Sequence, residues 1–500
     1  MMKNYGKQKM LKSLFRQCLF ILGICIMSCS NGADINEFIG IQKSRAYDPS
    51  KPVNVTDFIP KSGGSGQKLV IYGDNFGNDT SAVKVYIGDK TATIINVKNN
   101  ALYCFVPSKA YTGTITINVG KDSLEAQRVT ADSIFHYQKK MVVGTLCGHR
   151  NQNDDQGWHD GSFDDCVGFR NDGCLVFDPI YHNRLYVVYD GGIGIQELDM
   201  NTRQLKSIIS TSPFGTNRLR SIDFTLDGKY MIISTDRGDQ GRRSPSVWLL
   251  KRNVDGTFNN SSSIQLLASY RDCNGASIHP VNGELYFNSF ERSQVFRLDM
   301  QKYFDVIDNG KIWAPAYDDG AFKEIFTIQD VGWEFKIFIH PTGKYAYIVV
   351  ANQHYILRSD YNEQTKCFAP PYVVVGTARN AGWADGVGTT VRLNRPYQGV
   401  FVRNSNYVKE GRDDDYDFYF CDCQNQCIRK LTPDGVVTTF AGRGAQGHAS
   451  DTNWWGTEDG DLRQVARFRD PTGITYDENT HTFYILDVTG RKIRTIAMEK

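Results

Sequence analysis

The chain has no excess charge of either sign: 57 Lys and Arg stand against 55 Asp and Glu in 500 residues. Such a balance exerts no long-range pull toward nucleic acid. Long apolar runs are missing as well. The most hydrophobic stretch, residues 18–27, is about ten residues long, half of the ~20 that a membrane-spanning helix needs. Catalytic signatures are equally scarce. There is no nucleophile elbow, no phosphate-binding glycine loop and no dinucleotide fingerprint. His159, His279, His340 and His354 show no helical metal-ligand spacing. Neither a cofactor nor a metal is expected.

What the chain has is aromatic residues, at 12%, and 46 glycines. Aromatic strands joined by glycine-rich turns suit an all-β protein. A phrase also recurs six times, and self-similarity of that kind decides architecture. Its clearest copy is Asp470-Pro-Thr-Gly-Ile-Thr-Tyr-Asp477, then Thr482-Phe-Tyr-Ile-Leu-Asp487, then Arg491-Lys-Ile-Arg494. Other copies centre on Cys174-Leu-Val-Phe177, Arg220-Ser-Ile-Asp223, Ala276-Ser-Ile278, Lys336-Ile-Phe-Ile339 and Gly399-Val-Phe-Val402. Third and fourth strands follow most copies, but the sixth ends without a fourth. An unmatched strand, Met141-Val-Val-Gly-Thr145, stands at the start and is expected to complete the last blade. That closure removes exposed sheet edges. Residues 138–500 therefore read as a six-bladed β-propeller, and blades five and six resemble NHL repeats, the middle ones YVTN-type repeats.

Ahead of it, residues 52–137 show short alternating strands with turns about every ten residues, the pattern of a β-sandwich. Pro60, Gly73-Asp-Asn-Phe-Gly77, Val85-Tyr-Ile-Gly88 and Pro107 resemble an IPT/TIG domain. The resemblance implies an immunoglobulin-like spacer or docking module without a catalytic site.

The N-terminus reads as a sorting signal. Lys3, Lys7, Lys9, Lys12 and Arg16 precede the apolar run, which ends Ile26-Met27-Ser28-Cys29. This resembles a bacterial lipobox and implies cleavage after residue 28 and lipidation of Cys29. Residues 29–51 are then a tether. Removing the five cations of the signal leaves the mature chain at a formal charge of −3. Nine of the twelve cysteines lie beyond Cys29, an odd number that cannot all pair within the chain. Cys147 with Cys166 or Cys174 is the expected bridge.

Loops from fourth to first strand and from second to third strand share one propeller face, where such scaffolds carry function. Three long loops there echo one another: Gly157-Trp-His-Asp-Gly161, Gly382-Trp-Ala-Asp-Gly386 and Trp454-Trp-Gly-Thr-Glu-Asp-Gly460. Their Asp-Gly pairs read as turns. Their indoles could stack on sugar rings or pack beneath their own loops. Candidate ligand contacts are Trp158, Trp383, Trp454, Trp455, Arg237, Arg292, His354 and Tyr397. Forked arginine donors also admit an anionic glycan. Arg237-Gly-Asp239 matches a short adhesion motif that recurs by chance. The Cys421, Cys423, Cys427 cluster and Asp413-Asp-Asp415 with Asp417 have metal-like spacing, but the repeat explains the first and a solvated loop the second.

The whole resembles the surface lipoproteins of Bacteroidetes that accompany polysaccharide-uptake systems. It implies a non-catalytic, outer-membrane glycan-binding protein facing the cell exterior. Its partners would be a polysaccharide or oligosaccharide, a TonB-dependent transporter and surface glycoside hydrolases. One alternative is a protein-docking or adhesion module. Another is a propeller lyase or lactonase, for which the inner-strand entrances Arg220, Asn274, Glu334 and Gln398 offer poor metal ligands.

Overall fold

A computed structural model describes residues 45–121, 126–148, 158–166, 168–445 and 453–499. The signal segment, Cys29 and most of the tether lie outside the described residues. The chain divides into two compact units between Lys140 and Met141.

The first unit is a sandwich of two sheets. One consists of Asn54–Ile59, Lys68–Asp74, Ala101–Phe105 and Thr93–Lys98. The other consists of Ser62–Gly63, Gln127–Tyr137, Gly113–Val119, Val83–Ile87 and Lys90–Thr91. Alternation buries Leu69, Ile71, Val85, Ile87, Ile115 and Ile117 between the sheets, with Phe58 and Phe135. The Gly73 motif has a steric cause: a Cβ there would collide with the Asn54 carbonyl oxygen and the Phe76 ring.

The second unit is a ring of six sheets, the propeller that the repeat implies. The first strands are Gly173–Phe177, Leu219–Phe224, Ala276–Ile278, Phe335–Ile339, Pro396–Arg403 and Pro471–Asp477. They surround a central channel of about 300 Å³. The second strands are buried on both faces; Tyr345–Val350 and Thr482–Asp487 are buried at every position. Each lies between two neighbouring blades, so it reads as a continuous apolar run rather than an alternating one. The sixth blade closes as the sequence implies. Met141–Cys147 pairs antiparallel with Lys492–Met498, from Met141 opposite Met498 to Cys147 opposite Ile493.

Polar side chains on the first strands rivet blade to blade. Asp223 accepts from Ile278 N at 2.8 Å and Ser221 Oγ from Ala276 N at 3.1 Å. Ser277 Oγ donates to Ile337 O at 2.8 Å. Gln398 does most: its Oε1 accepts from Leu175 N and Ile474 N, both at 3.1 Å, while its Nε2 donates to Leu175 O at 3.0 Å. One amide thus joins blades five, six and one.

All nine cysteines from Cys104 onward are buried free thiols. Of the two partners considered for Cys147, only Cys166 shares its apolar cluster and hydrogen-bonds its thiol. Cys174 packs in a different cluster with Tyr186 and Phe224; the expected bridge is corrected, since Cys147 is disulfide-bonded to neither partner.

Replacing Gln398 by Leu strands two buried N–H donors and one carbonyl. At roughly 1–3 kcal/mol for each unsatisfied buried group, Gln398→Leu is expected to cost about 3 kcal/mol in urea unfolding. Gln464→Leu, at an exposed site, is expected to stay within ~0.5 kcal/mol of the parent.

Candidate functional site

In their described residues, the three echoing loops do not line the channel or its mouth. Each runs along the outer edge of its blade. Gly161–Ser162, Gly386–Val387 and Gly460–Asp461 add a short fifth strand outside the fourth. The aspartate of each Asp-Gly pair staples that edge. Asp160 accepts from Ser207 N and Oγ at 2.8 and 2.9 Å. Asp385 accepts from Arg429 Nη2 and Thr439 Oγ1, both at 2.9 Å. Asp459 accepts from Arg494 Nη2 at 2.6 Å and Thr145 Oγ1 at 3.1 Å. These carboxylates are scaffold.

The loop tryptophans divide. Trp383 is half-buried, its Nε1 is enclosed without an acceptor, and a Cβ at Gly444 would collide with it. Only glycine, at φ +80°, fits there, so Trp383 packs under a loop. Trp454 is half-buried. Trp158 and Trp455 are 39% and 40% exposed, and the Arg469 guanidinium lies 4.8 Å over the Trp455 ring.

The concave site lies at the mouth of the central channel. A basin of about 470 Å³ is lined by loops of blades one to five, within the ~300–1,000 Å³ usual for small-ligand pockets. Its wall is built of ion pairs. Arg218 reaches Asp190 at 3.1 Å and Asp236 at 2.6 Å. Arg271 lies 2.9 Å from Asp272 and also pairs with Glu291, and Arg395 pairs with Asp172. The floor is buried Arg220, which reaches Asp190 at 2.6 Å and also pairs with Glu334. Lys336 lies below, its Nζ donating to Arg220 O at 3.0 Å. Trp333 stands on the lip, 74% exposed and the barest tryptophan in the described chain. Among the described residues no ring or cation stacks on it.

Burial sets the ionisation of these acids. It pushes Asp236 up to about 6, against Arg220 and Arg218, which pull it down. It raises Asp172 as well, with Arg395 opposing. For Glu334 burial again opposes ionisation, but Arg220 and Lys336 win, and the carboxyl is held below its ordinary range. Down the channel Asp223 is pushed up to about 6 by the same loss of solvent, despite its backbone donors.

Several anticipated residues lie away from this basin. Tyr397 is corrected: it is 1% exposed beneath the floor, donating to Glu334 and accepting from Arg220 Nη2 at 3.2 Å. No ligand reaches it. His354 is half-buried; its Nδ1 accepts from Arg395 N at 3.1 Å, so it braces a wall residue from behind. Arg237 is forked onto Asp239 at 2.7 and 3.0 Å, which ties the adhesion-like triplet to itself. Arg292 is exposed. The acidic loop is engaged piecemeal: Asp414 with Tyr345, Asp415 with Arg403, Asp417 with Asn404. Among the described residues no group of three or more His, Cys, Asp or Glu is arranged to hold a metal.

Sequence reasoning passed over Trp333 and did not weigh Asp190 and Asp236 as a site. A signal exists for both. The residue just after the second strand is Asp190 and Asp236 in blades one and two, but Phe290, Ala351, Cys423 and Val488 in the others. Trp333 immediately precedes Glu334, one of the inner-strand entrances.

The fold is an immunoglobulin-like module followed by a six-bladed propeller with a polar basin at the channel mouth. Residues 52–137 match the IPT/TIG domain family. No curated protein matches the chain, but solved structures do. A Bacteroides thetaiotaomicron protein provisionally called a phosphatase is 53% identical over 91% of this chain and 99% of its own, with a TM-score of 0.83. An auxiliary nutrient binding protein from the same species is 42% identical over 91% and 100%, with a TM-score of 0.79. Another, from Bacteroides ovatus, is 34% identical over 91% and 100%, with a TM-score of 0.63. The chain belongs to this family of Bacteroides proteins.

Because Asp223 binds its proton more tightly folded than unfolded, it lowers stability as pH climbs from about 4 to about 6. Asp223→Asn removes that slope. Urea unfolding at several pH values is expected to show the variant gaining on the parent across that window and level above it. A constant gap contradicts the assignment.

Proposed function

We propose that the protein is a non-catalytic, lipid-anchored receptor on the outer surface of the cell. It captures polysaccharide for a TonB-dependent uptake system. The observation that carries this reading is Trp333, standing bare beside a basin of carboxylates and guanidiniums. An indole face covers the C–H side of a sugar ring, and the flanking pairs supply acceptors and donors for its hydroxyls. Tryptophan is enriched among residues that carry binding energy. Trp158 and Trp455, partly exposed on the blade edges, are secondary contacts. Two relatives being auxiliary nutrient binding proteins supports the same reading.

The relative provisionally called a phosphatase suggests a second reading. The basin argues against a phosphate ester, because each of its arginines is already paired with a carboxylate. Turnover of p-nitrophenyl phosphate by the purified chain would favour that reading. A protein-docking role would instead show as a partner pulled down in the absence of any glycan.

Native-gel retardation of the mature protein against a polysaccharide panel tests the proposal. At least one glycan is expected to retard it, and Trp333→Ala to weaken that binding tenfold or more, about 1.4 kcal/mol. Trp158→Ala and Trp455→Ala are expected to cost less. Failure of every glycan refutes the reading. Anchoring is checked separately: Cys29→Ser is expected to move the protein from the membrane fraction to the soluble one.

A further inference from the structure

Resting on the glycan-capture reading, we infer that the basin selects uncharged glycans and rejects acidic ones. Six carboxylates line it against four guanidiniums: Asp172, Asp190, Asp236, Asp272, Glu291 and Glu334 face Arg218, Arg220, Arg271 and Arg395. No guanidinium is spare. Arg218 lies between Asp190 and Asp236, at 3.1 and 2.6 Å. Arg220 lies between Asp190 and Glu334, and Arg271 between Asp272 and Glu291. Arg395 pairs with Asp172 and comes within 3.9 Å of Glu334. Lys336 is buried beneath the floor with its Nζ on Arg220 O.

An entering carboxylate or sulfate therefore meets, among the described residues that line the basin, no unpaired cation. To gain one it must displace a carboxylate already in place, and it adds a like charge where acids are already in excess. Specificity here comes from repulsion as much as from attraction. An uncharged sugar meets no such penalty. A guanidinium carries five N–H donors and a carboxylate about four lone-pair sites, so each ion pair keeps donors and acceptors side by side. That is the complement of adjacent hydroxyls, which both give and accept hydrogen bonds. Trp333 adds an apolar face and no charge. This reading withdraws the anionic glycan that the arginine-rich loops suggested from sequence.

The test begins with the polysaccharide that retards the mature protein most. A sample is oxidised at its primary hydroxyls to carboxylates, and part of that is methyl-esterified to remove the charge without restoring the alcohol. Binding of all three is measured by calorimetry. The neutral chain is expected to bind, the oxidised chain to lose tenfold or more, and the methyl ester to recover most of the loss. Glu291→Gln, chosen because that side chain is 42% exposed, is expected to raise affinity for the oxidised chain by several-fold. Added salt is expected to leave neutral binding nearly unchanged, since no ionic contact is made.

Equal or tighter binding of the oxidised chain overturns the inference while capture stands. So does a panel in which the glycan held most tightly is a uronate, sulfate or amino-sugar polymer. An ester as weak as the oxidised chain also overturns it, since shape rather than charge then decides. If no glycan binds, the capture reading itself falls, and this inference with it.

Discussion

Everything the second unit does depends on one pairing, that of Met141–Cys147 with Lys492–Met498. Six sheets in a row have two open ends, each presenting unpaired N–H and C=O groups. Joining the first strand to the last turns the row into a ring, and only a ring brings six first strands around a channel. The pairing is also the most non-local in the unit, so its loop-closure entropy has to be offset by local reinforcement. That reinforcement is visible. Asp459 accepts from Thr145 on the closing strand and from Arg494 on its partner, and Cys147 packs with Ile493 and Leu486 in the apolar cluster shared with blade one. Gln398 and Thr472 then fasten blade one to blades five and six from the channel side.

A closed ring makes the basin possible, but buried charge gives it shape. Arg220 and Glu334 form the floor and meet Lys336 and Tyr397 beneath it, each at most 5% exposed. Removing charges from water costs several kcal/mol per ion, and their attraction returns that only when the remaining donors and acceptors are bonded. Here they largely are, and the partners come from different blades: Arg220 from the second, Glu334 and Lys336 from the fourth, Tyr397 from the fifth. The direction of the shifts agrees. Glu334 stays ionised because cations surround it, while Lys336 is drawn down mainly by burial. Such a network contributes less to net stability than to holding one arrangement of the floor. A rigid floor keeps the wall pairs at fixed spacing, which a site reading hydroxyl positions requires.

Architecture was legible because it is written in period and polarity. Second strands with a mainly apolar core, and a fourth strand missing at one end and supplied at the other, survive without knowledge of contacts. The Asp-Gly pairs were legible as structure too, although their part as staples to the fourth strand needed Ser207, Thr439 and Thr145 to be brought opposite them. The site was less legible. Trp158 and Trp383 have the same local sequence, Gly-Trp-x-Asp-Gly, yet one is exposed and the other is held under a loop by Gly444. That difference lies in a segment sixty residues downstream of Trp383 and cannot be read from the motif. Tyr397, named among the candidate contacts, is buried, its hydroxyl held by Glu334 and Arg220 from blades four and two, partners that the sequence does not bring together.

Departures from the repeat are thus of two kinds with different consequences. Insertions, such as the long Trp-bearing loops, are conspicuous in sequence, but the aspartates of their Asp-Gly pairs are consumed in lengthening the blade edge. Substitutions at fixed repeat positions are inconspicuous. The position after the second strand holds Asp in blades one and two and Phe, Ala, Cys or Val in the rest, and the turn before the fourth inner strand holds Trp333. Each changes one side chain without changing the length of anything. Because the ring places those positions on one circle around the channel, a few such changes add up to a basin, whereas an insertion at the rim alters one blade alone. In a closed propeller, function is therefore better sought in the chemistry of equivalent positions than in the length of unequal loops.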